Sequence, residues 1–331
     1  MAEELEDPRE VPWHPRHAAA VRGHEKAIQH FKKAFTAARP HHAWLINGPM
    51  GIGKATLAYK LAAHVLASGS NQILAVRWIA SRAHPDLGLL ERSFNDSKPK
   101  RLRTEISVDD VRAFSGFFER TASVGGWKVG LVDCVDDLNT ESANALLKLV
   151  EEPPAKSLLL LVCHQPGKAL RTLRSRCLRL PLDSLGEKET NDILSNLPFD
   201  PKPNAEAQTR AARLSRGSPG RALQLLNSTG AKAFDQFTAT ARRTISQHSA
   251  IAGLFSSRAT AVADFEVFMD LLLDWLAGQA SHHASRNLAD LHGQLTQKAS
   301  ITTGYNLDRR VAVLEALTLV DEALNAALKA A

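Results

Sequence analysis

The sequence predicts an α/β protein in which a parallel-sheet core is followed by a long helical C-terminal part. Three observations lead there. Short continuous apolar runs at Ala43–Ile46, Val129–Val132 and Leu158–Val162 alternate with amphipathic helical segments, the pattern of strands covered on both faces. The first run passes through a glycine-rich turn, GPMGIGK at 48–54, directly into a helix. From about residue 230 the apolar residues keep a helical period.

Composition narrows the classes. The chain has 331 residues, 44% hydrophobic and 23% charged, enough apolar material for two or three globular domains. A net charge of +6 is compatible with phosphate or nucleic-acid ligands and identifies neither. Three cysteines argue against a disulfide framework and against a four-cysteine zinc site. No apolar run approaches the ~20 residues that cross a bilayer. The acidic start MAEELEDPRE lacks the basic and apolar stretches of a signal peptide. A cytoplasmic protein with no membrane partner is the expectation.

The elements follow in order. Pro8, Pro12 and Pro15 make residues 1–20 an N-terminal arm. From Gly23, a helix carries Ala27, Ile28, Phe31, Ala34 and Phe35 on one face. The strand at 43–46 and the glycine turn lead to a helix with Leu57, Ala58, Leu61, Ala62 and Val65 inward. Ser107 caps a helix whose third residue is Asp110 and whose inner side carries Val111 and Phe114. The strand at 129–132 ends at Asp133. Asn139 caps the next helix, with Ala143, Leu146, Leu147 and Val150 inward, and Pro153-Pro154 stops it. The strand at 158–162 is followed by a helix at 168–174. Residues 21–180 thus read as one α/β domain. Residues 185–226 hold two short helices around Pro198–Pro203, then Gly217-Ser218-Pro219-Gly220 and Arg221. Beyond 230, the stripes Phe265, Phe268, Met269, Leu272, Trp275, Leu276 and Leu307, Val311, Leu314, Leu317, Val320, Leu324, Leu328 read as core-packing faces.

The strongest chemical signal is Gly48-Pro-Met-Gly51-Ile-Gly53-Lys54, the frame of a phosphate loop, whose backbone N–H groups cradle phosphate while Lys54 reaches the outer phosphates. The next residue should be a Mg²⁺-binding Ser or Thr and is Ala55. Thr56 follows, turned about 100° further round a helix. Nucleotide binding and a bare glycine turn both stay open. Asp133 stands where a Mg²⁺-ordering carboxylate belongs, but Cys134 replaces the neighbouring acid that hydrolysis needs. Asp136 and Asp137 fit a helix cap or a solvated turn. Ser175-Arg176-Cys177 reads either as a basic surface turn or as an arginine presented to another protein's phosphate. Cys134, Cys163 and Cys177 suit core positions. Neither His41-His42 nor His282-His283 has a ligand set for a metal. Lys98, Lys100, Arg101 and Arg103, in KPKRLR, form a basic stretch that fits a solvated loop better than a DNA contact.

With these motifs placed, the chain resembles the clamp-loader subunits of bacterial DNA polymerase III. The likeness runs over most of the chain and is strongest in HHAWLINGPMGIGKATLA, LNTESANALLKLVEEPP, LRTLRSRCLRL and GSPGRAL. It implies an AAA+ RecA-like core (21–180), a small helical lid (181–228) and an all-helical collar (229–331) for assembly into a five-subunit ring. It further implies an ATP-dependent cycle that loads the sliding clamp on primed DNA, with tau/gamma motor subunits and a delta subunit as partners. Arg176 then corresponds to an arginine that enters the ATP site of the adjacent motor subunit. Gly48, Gly51, Gly53, Lys54, Thr56, Asp133 and Arg221 correspond to nucleotide-contacting positions that are vestigial in a non-hydrolysing stator, with Arg221 matching a phosphate-sensing arginine of the lid. Cys163 and His164 stand where motor subunits carry a polar phosphate sensor. Many relatives carry a four-cysteine zinc module, whereas Ser68–Pro85 contains no cysteine. No zinc and no required cofactor are expected, and ATP binding stays open. Polymerase activity, DNA-directed nucleotidyl transfer, belongs to the whole holoenzyme.

Two other functions compete with the stator. One is an ATP-hydrolysing tau/gamma-type motor subunit, against which Ala55 and Cys134 speak. The other is an independent DNA-remodelling ATPase, which needs a complete phosphate loop and an acidic partner.

Overall fold

Ala43–Asn47 forms strand β1, with the side chains of Ala43 to Ile46 all buried. It lies in a five-stranded parallel sheet with β2 (Leu87–Glu91), β3 (Lys128–Asp133), β4 (Ser157–Cys163) and β5 (Leu178–Pro181), in the order β2-β3-β4-β1-β5. The computed structural model describes residues 7, 9–18, 20–67, 71–95, 102–124, 126–167, 169–199, 202–239, 244–255, 261–282 and 285–330. In register, Leu45 faces Leu161 and Ile46 faces Val162.

Alternate side chains of a strand point to opposite faces, so a continuous apolar run needs a cover on each side. The covers come from α1 (Glu25–Phe35), α2 (Lys54–Leu66), α3 (Gln72–Ala80), α4 (Val108–Phe118) and α5 (Thr140–Glu151). Phe31, Leu57 and Leu61 close over Trp44, Ile46 and Leu160. On the other face Val111, Phe114 and Leu146 close over Leu45, Val132 and Leu161. Gly130 in β3 permits that second packing, because a Cβ there would lie 2.5 Å from Phe114 Cζ. Ser107 and Asp110 form the expected capping box of α4. Asn139 Oδ1 accepts the Ser142 N–H at 2.9 Å, starting α5.

Two further helices, α6 (Arg171–Arg176) and α7 (Glu187–Ser195), complete the sheet unit. By contacts the chain divides into two compact units, one of residues 1–202 and 216–220, the other of 203–215 and 221–331. The second unit contains α8 (Ala205–Leu214), most of α9 (Pro219–Asn227), α10 (Thr229–Thr238), α11 (Ile245–Gly253), α12 (Ala261–His282), α13 (Arg286–Gly304) and α14 (Arg309–Ala330). Phe237, Phe265, Phe268, Leu272, Leu276, Leu295, Leu317 and Val320 are buried in it. The fold class is therefore α/β as expected: a parallel-sheet core, then helices. No helix among the described residues is long and apolar enough to cross a membrane.

Several elements differ from the sequence reading. Helix α3, β2 and β5 had no expectation, since LGLLE and LRLP are too short to show a period. The 185–226 region holds three helices where two were expected, because Pro219 occupies the first position of α9, where its missing N–H costs nothing. The helix expected at 168–174 is observed at 171–176, so Ser175 and Arg176 form its last turn instead of following it. Part of the N-terminal arm is packed: Arg16 is buried, its Nε donating to Ala80 O at 3.0 Å. In the last stripe Leu307 and Val311 are exposed, while Val313 and Ala316 are buried. The basic residues Lys98, Lys100 and Arg101, and His283, lie outside the described residues.

Candidate functional site

The glycine loop leaves the C-terminal end of β1, where parallel strands direct their chain toward a ligand crevice. Gly48, Gly51 and Gly53 all take positive φ (153°, 77° and 99°). At Gly48 the requirement is absolute, because a Cβ would lie 2.4 Å from Leu182 O and 2.8 Å from Ile52 Cδ1. Lys54 opens α2 and is 2% exposed. Its Nζ donates to Gly48 O at 2.8 Å and to Pro49 O at 2.5 Å. Burial pulls its ammonium down to about 8, opposed chiefly by the negative charge of Asp136. His24 is buried, with Nε2 2.7 Å from Ile52 O, so the carbonyl fixes Nε2 as the protonated nitrogen. Helix α2 begins without a side-chain cap, which leaves its first-turn N–H groups as donors for an anion.

The carboxylate end of the site fits Mg²⁺ poorly. Ala55 has no hydroxyl, and Thr56 lies one step further along α2. Asp133 ends β3, and burial, then the charge of Asp137, push its carboxyl up to about 6. Cys134 beside it is buried, with its thiol pushed far up, so it supplies no anion. The residues present fit a phosphate chain and lack the donors that would order a cation on it. Among the described residues, no group of three or more His, Cys, Asp or Glu side chains is placed to hold a metal ion.

Asp136 is neither a helix cap nor a solvated turn. It accepts the backbone N–H groups of His164 and Gln165, both at 2.6 Å, and so fixes the exit of β4. Asp137 pairs with Arg92 at 3.2 Å. Cys163 is buried at the end of β4, its thiol raised to about 11 by burial first. His164 is half-buried, and desolvation, then Lys54, hold its imidazole below the usual range. His41 and His42 bind backbone, with His42 Nε2 2.8 Å from Val150 O.

Arg176 stands apart from the loop, on the last turn of α6. Its Nη2 lies 2.8 Å from Glu151 Oε1, and Nη1 donates to Thr172 O at 3.2 Å. The side chain is 42% exposed. Cys177 beside it is buried, its thiol raised to about 12 by burial. Arg221 belongs to the helical unit, where it pairs with Asp270 of α12. The fold thus gathers the glycine loop, Lys54, Asp133 and Asp136, and leaves Arg176 as a surface group. Sequence reasoning missed His24, Glu151 and the role of Asp136. Only Glu151 had a visible signal, its place in the EEPP segment ahead of the arginine.

Residues 23–186 match the family described as DNA polymerase III, delta subunit. A delta-prime subunit of DNA polymerase III from Pseudomonas aeruginosa is 38% identical over 185 residues, which cover 54% of this chain and 53% of that protein. The Escherichia coli delta-prime subunit is 32% identical over 198 residues, 58% of this chain and 56% of its own length. A tau/gamma subunit from Haemophilus influenzae is 30% identical over 213 residues, 62% of this chain and 30% of its own. The chain spans about half the length of the two delta-prime relatives it matches.

Proposed function

Because residues 23–186 match the family described as DNA polymerase III, delta subunit, we propose that the chain is a delta-prime-type stator of a clamp loader, lending Arg176 to the ATP site of a neighbouring motor subunit. The observation that carries this reading is the surface position of Arg176 at the end of α6. Among the described residues the guanidinium is tied to an exposed carboxylate and a helix carbonyl, ties that a phosphate from outside the chain can replace. Ala55 and Cys134 support little or no ATP turnover by the chain itself. The Asp270 pair supports a structural use for Arg221 in place of phosphate sensing.

The partners under this proposal are tau/gamma motor subunits and a delta subunit, with the sliding clamp and primed DNA reached through the complex, in the cytoplasm. The core, lid and collar division at 21–180, 181–228 and 229–331 belongs to the same proposal. A second reading, an ATP-hydrolysing tau/gamma-type motor, draws on the three positive-φ glycines and Lys54. An ATPase assay of the purified chain with Mg²⁺ separates the two. The stator reading expects no turnover above background, and turnover abolished by Lys54→Ala would favour the motor.

A further inference from the structure

Residues 216–220 group with the sheet unit, although the chain on both sides of them belongs to the helical unit. The contacts behind this grouping are close. Leu185 N donates to Gly217 O at 3.0 Å, and a Cβ on Gly217 would lie 2.1 Å from Leu185 O. Ser218 is 7% exposed, and its hydroxyl donates to Met50 O at 2.9 Å. Gly220 N donates to Gly51 O at 2.8 Å, while a Cβ on Gly220 would lie 2.8 Å from Gly51 Cα and 3.2 Å from Gly51 O.

These bonds complete a set. Lys54 takes the carbonyls of Gly48 and Pro49, Ser218 that of Met50, Gly220 that of Gly51, and His24 that of Ile52. Across a trans peptide the C=O and the following N–H point in opposite directions. Pro49 has no N–H, so tying these five successive carbonyls into the protein turns the N–H groups of Met50, Gly51, Ile52 and Gly53 the other way, the orientation an anion-binding nest requires. Two of the five ties come from a segment more than 160 residues away in sequence.

We propose that Ser218 and Gly220 are positioning residues of the phosphate loop, holding the Met50 and Gly51 carbonyls so that the Gly51 and Ile52 N–H groups face a phosphate chain. This rests on the loop being a phosphate site, as the nucleotide-contacting positions above assume. The ligand class is a di- or triphosphate chain, read through backbone donors. Ser218 acts through its hydroxyl, and Gly220 through the backbone-to-backbone approach that only glycine allows.

The test uses the full-length chain as wild type, Ser218→Ala, Gly220→Ala and the control Gly116→Ala, where an added Cβ meets nothing within 4 Å. Each is titrated with ADP and with pyrophosphate, and the backbone amide resonances of Met50, Gly51, Ile52 and Gly53 are recorded without ligand. Ser218→Ala should weaken ADP binding by about 2- to 10-fold, the worth of one hydrogen bond. Gly220→Ala should weaken it by about tenfold or more, the effect of an overpacked contact. Both should shift the loop amides, and Gly116→Ala should change neither readout. Unchanged ADP affinity in both brace variants overturns the inference. A wild type that binds neither ligand overturns the phosphate-site reading instead. The amides then decide the brace alone: shifted resonances in both variants support it and unchanged ones overturn it. Ser218→Ala adds no atom and carries the test if Gly220→Ala fails to fold.

Discussion

The Arg176 guanidinium lies 2.8 Å from the Glu151 carboxylate, joining the C-terminal ends of α6 and α5 through a pair in which both side chains are more than 40% exposed. Water competes for both groups, and such pairs contribute about 0–1 kcal/mol. Glu151→Ala and Arg176→Ala should each change unfolding free energy by less than about 1 kcal/mol in urea denaturation. A larger loss in Arg176→Ala would make the arginine a structural group.

Asp136 should behave in the opposite way. Its carboxylate accepts two backbone N–H groups at the exit of β4, and hydrogen bonds to charged groups contribute about 1.5–3 kcal/mol each. Asp136→Ala is expected to destabilise the chain by about 3 kcal/mol or more in urea denaturation. Asp136→Asn keeps one acceptor oxygen and should lose about half as much.

Asp133 gives a pH signature. Its folded-state carboxyl sits at about 6 against 3.8 for the free side chain, raised by burial and by Asp137. Between those values the native state holds more protons than the unfolded state, so this group's contribution to stability falls as pH rises from about 4 through 6. Asp133→Asn should remove that decline and stabilise the chain at pH 7 by on the order of 3 kcal/mol. Urea denaturation of both proteins across pH 4–8 measures it, and parallel profiles would refute it.

Lys54 should matter to the fold without any ligand. It fills two carbonyls of the loop from a buried position, and leaving them unpaired costs about 1–3 kcal/mol. Lys54→Ala is expected to lower the melting temperature of the ligand-free chain. A lysine used only for phosphate would leave that temperature unchanged.

How much was legible follows from the range of each interaction. The strands at 43–47, 128–133 and 157–163 and the caps at Ser107 and Asn139 are written in local periodicity and in side chains three residues apart. The glycine loop is equally local, which is why its frame was readable from seven residues. β5 and β2 are four and five residues long and owe their strand character to neighbours supplied by distant sequence. The Asp136 clamp, the His24 contact and the Ser218 and Gly220 ties span 28 to 169 positions, beyond anything a local pattern carries. Arg176 was visible as a motif, but its position inside the last turn of α6 and its pairing with Glu151 come from the packing of two helices.

The most direct measurement is the ATPase rate of a clamp loader reconstituted from the motor subunits, the delta subunit and this chain, with wild type compared with Arg176→Ala. A guanidinium acting in trans on a transferred phosphoryl group predicts a fall of about tenfold or more, not restored by Arg176→Lys because a point charge lacks the planar fork, with the complex still assembled. An assembled complex containing Arg176→Ala that hydrolyses ATP at the wild-type rate would contradict the trans-arginine role.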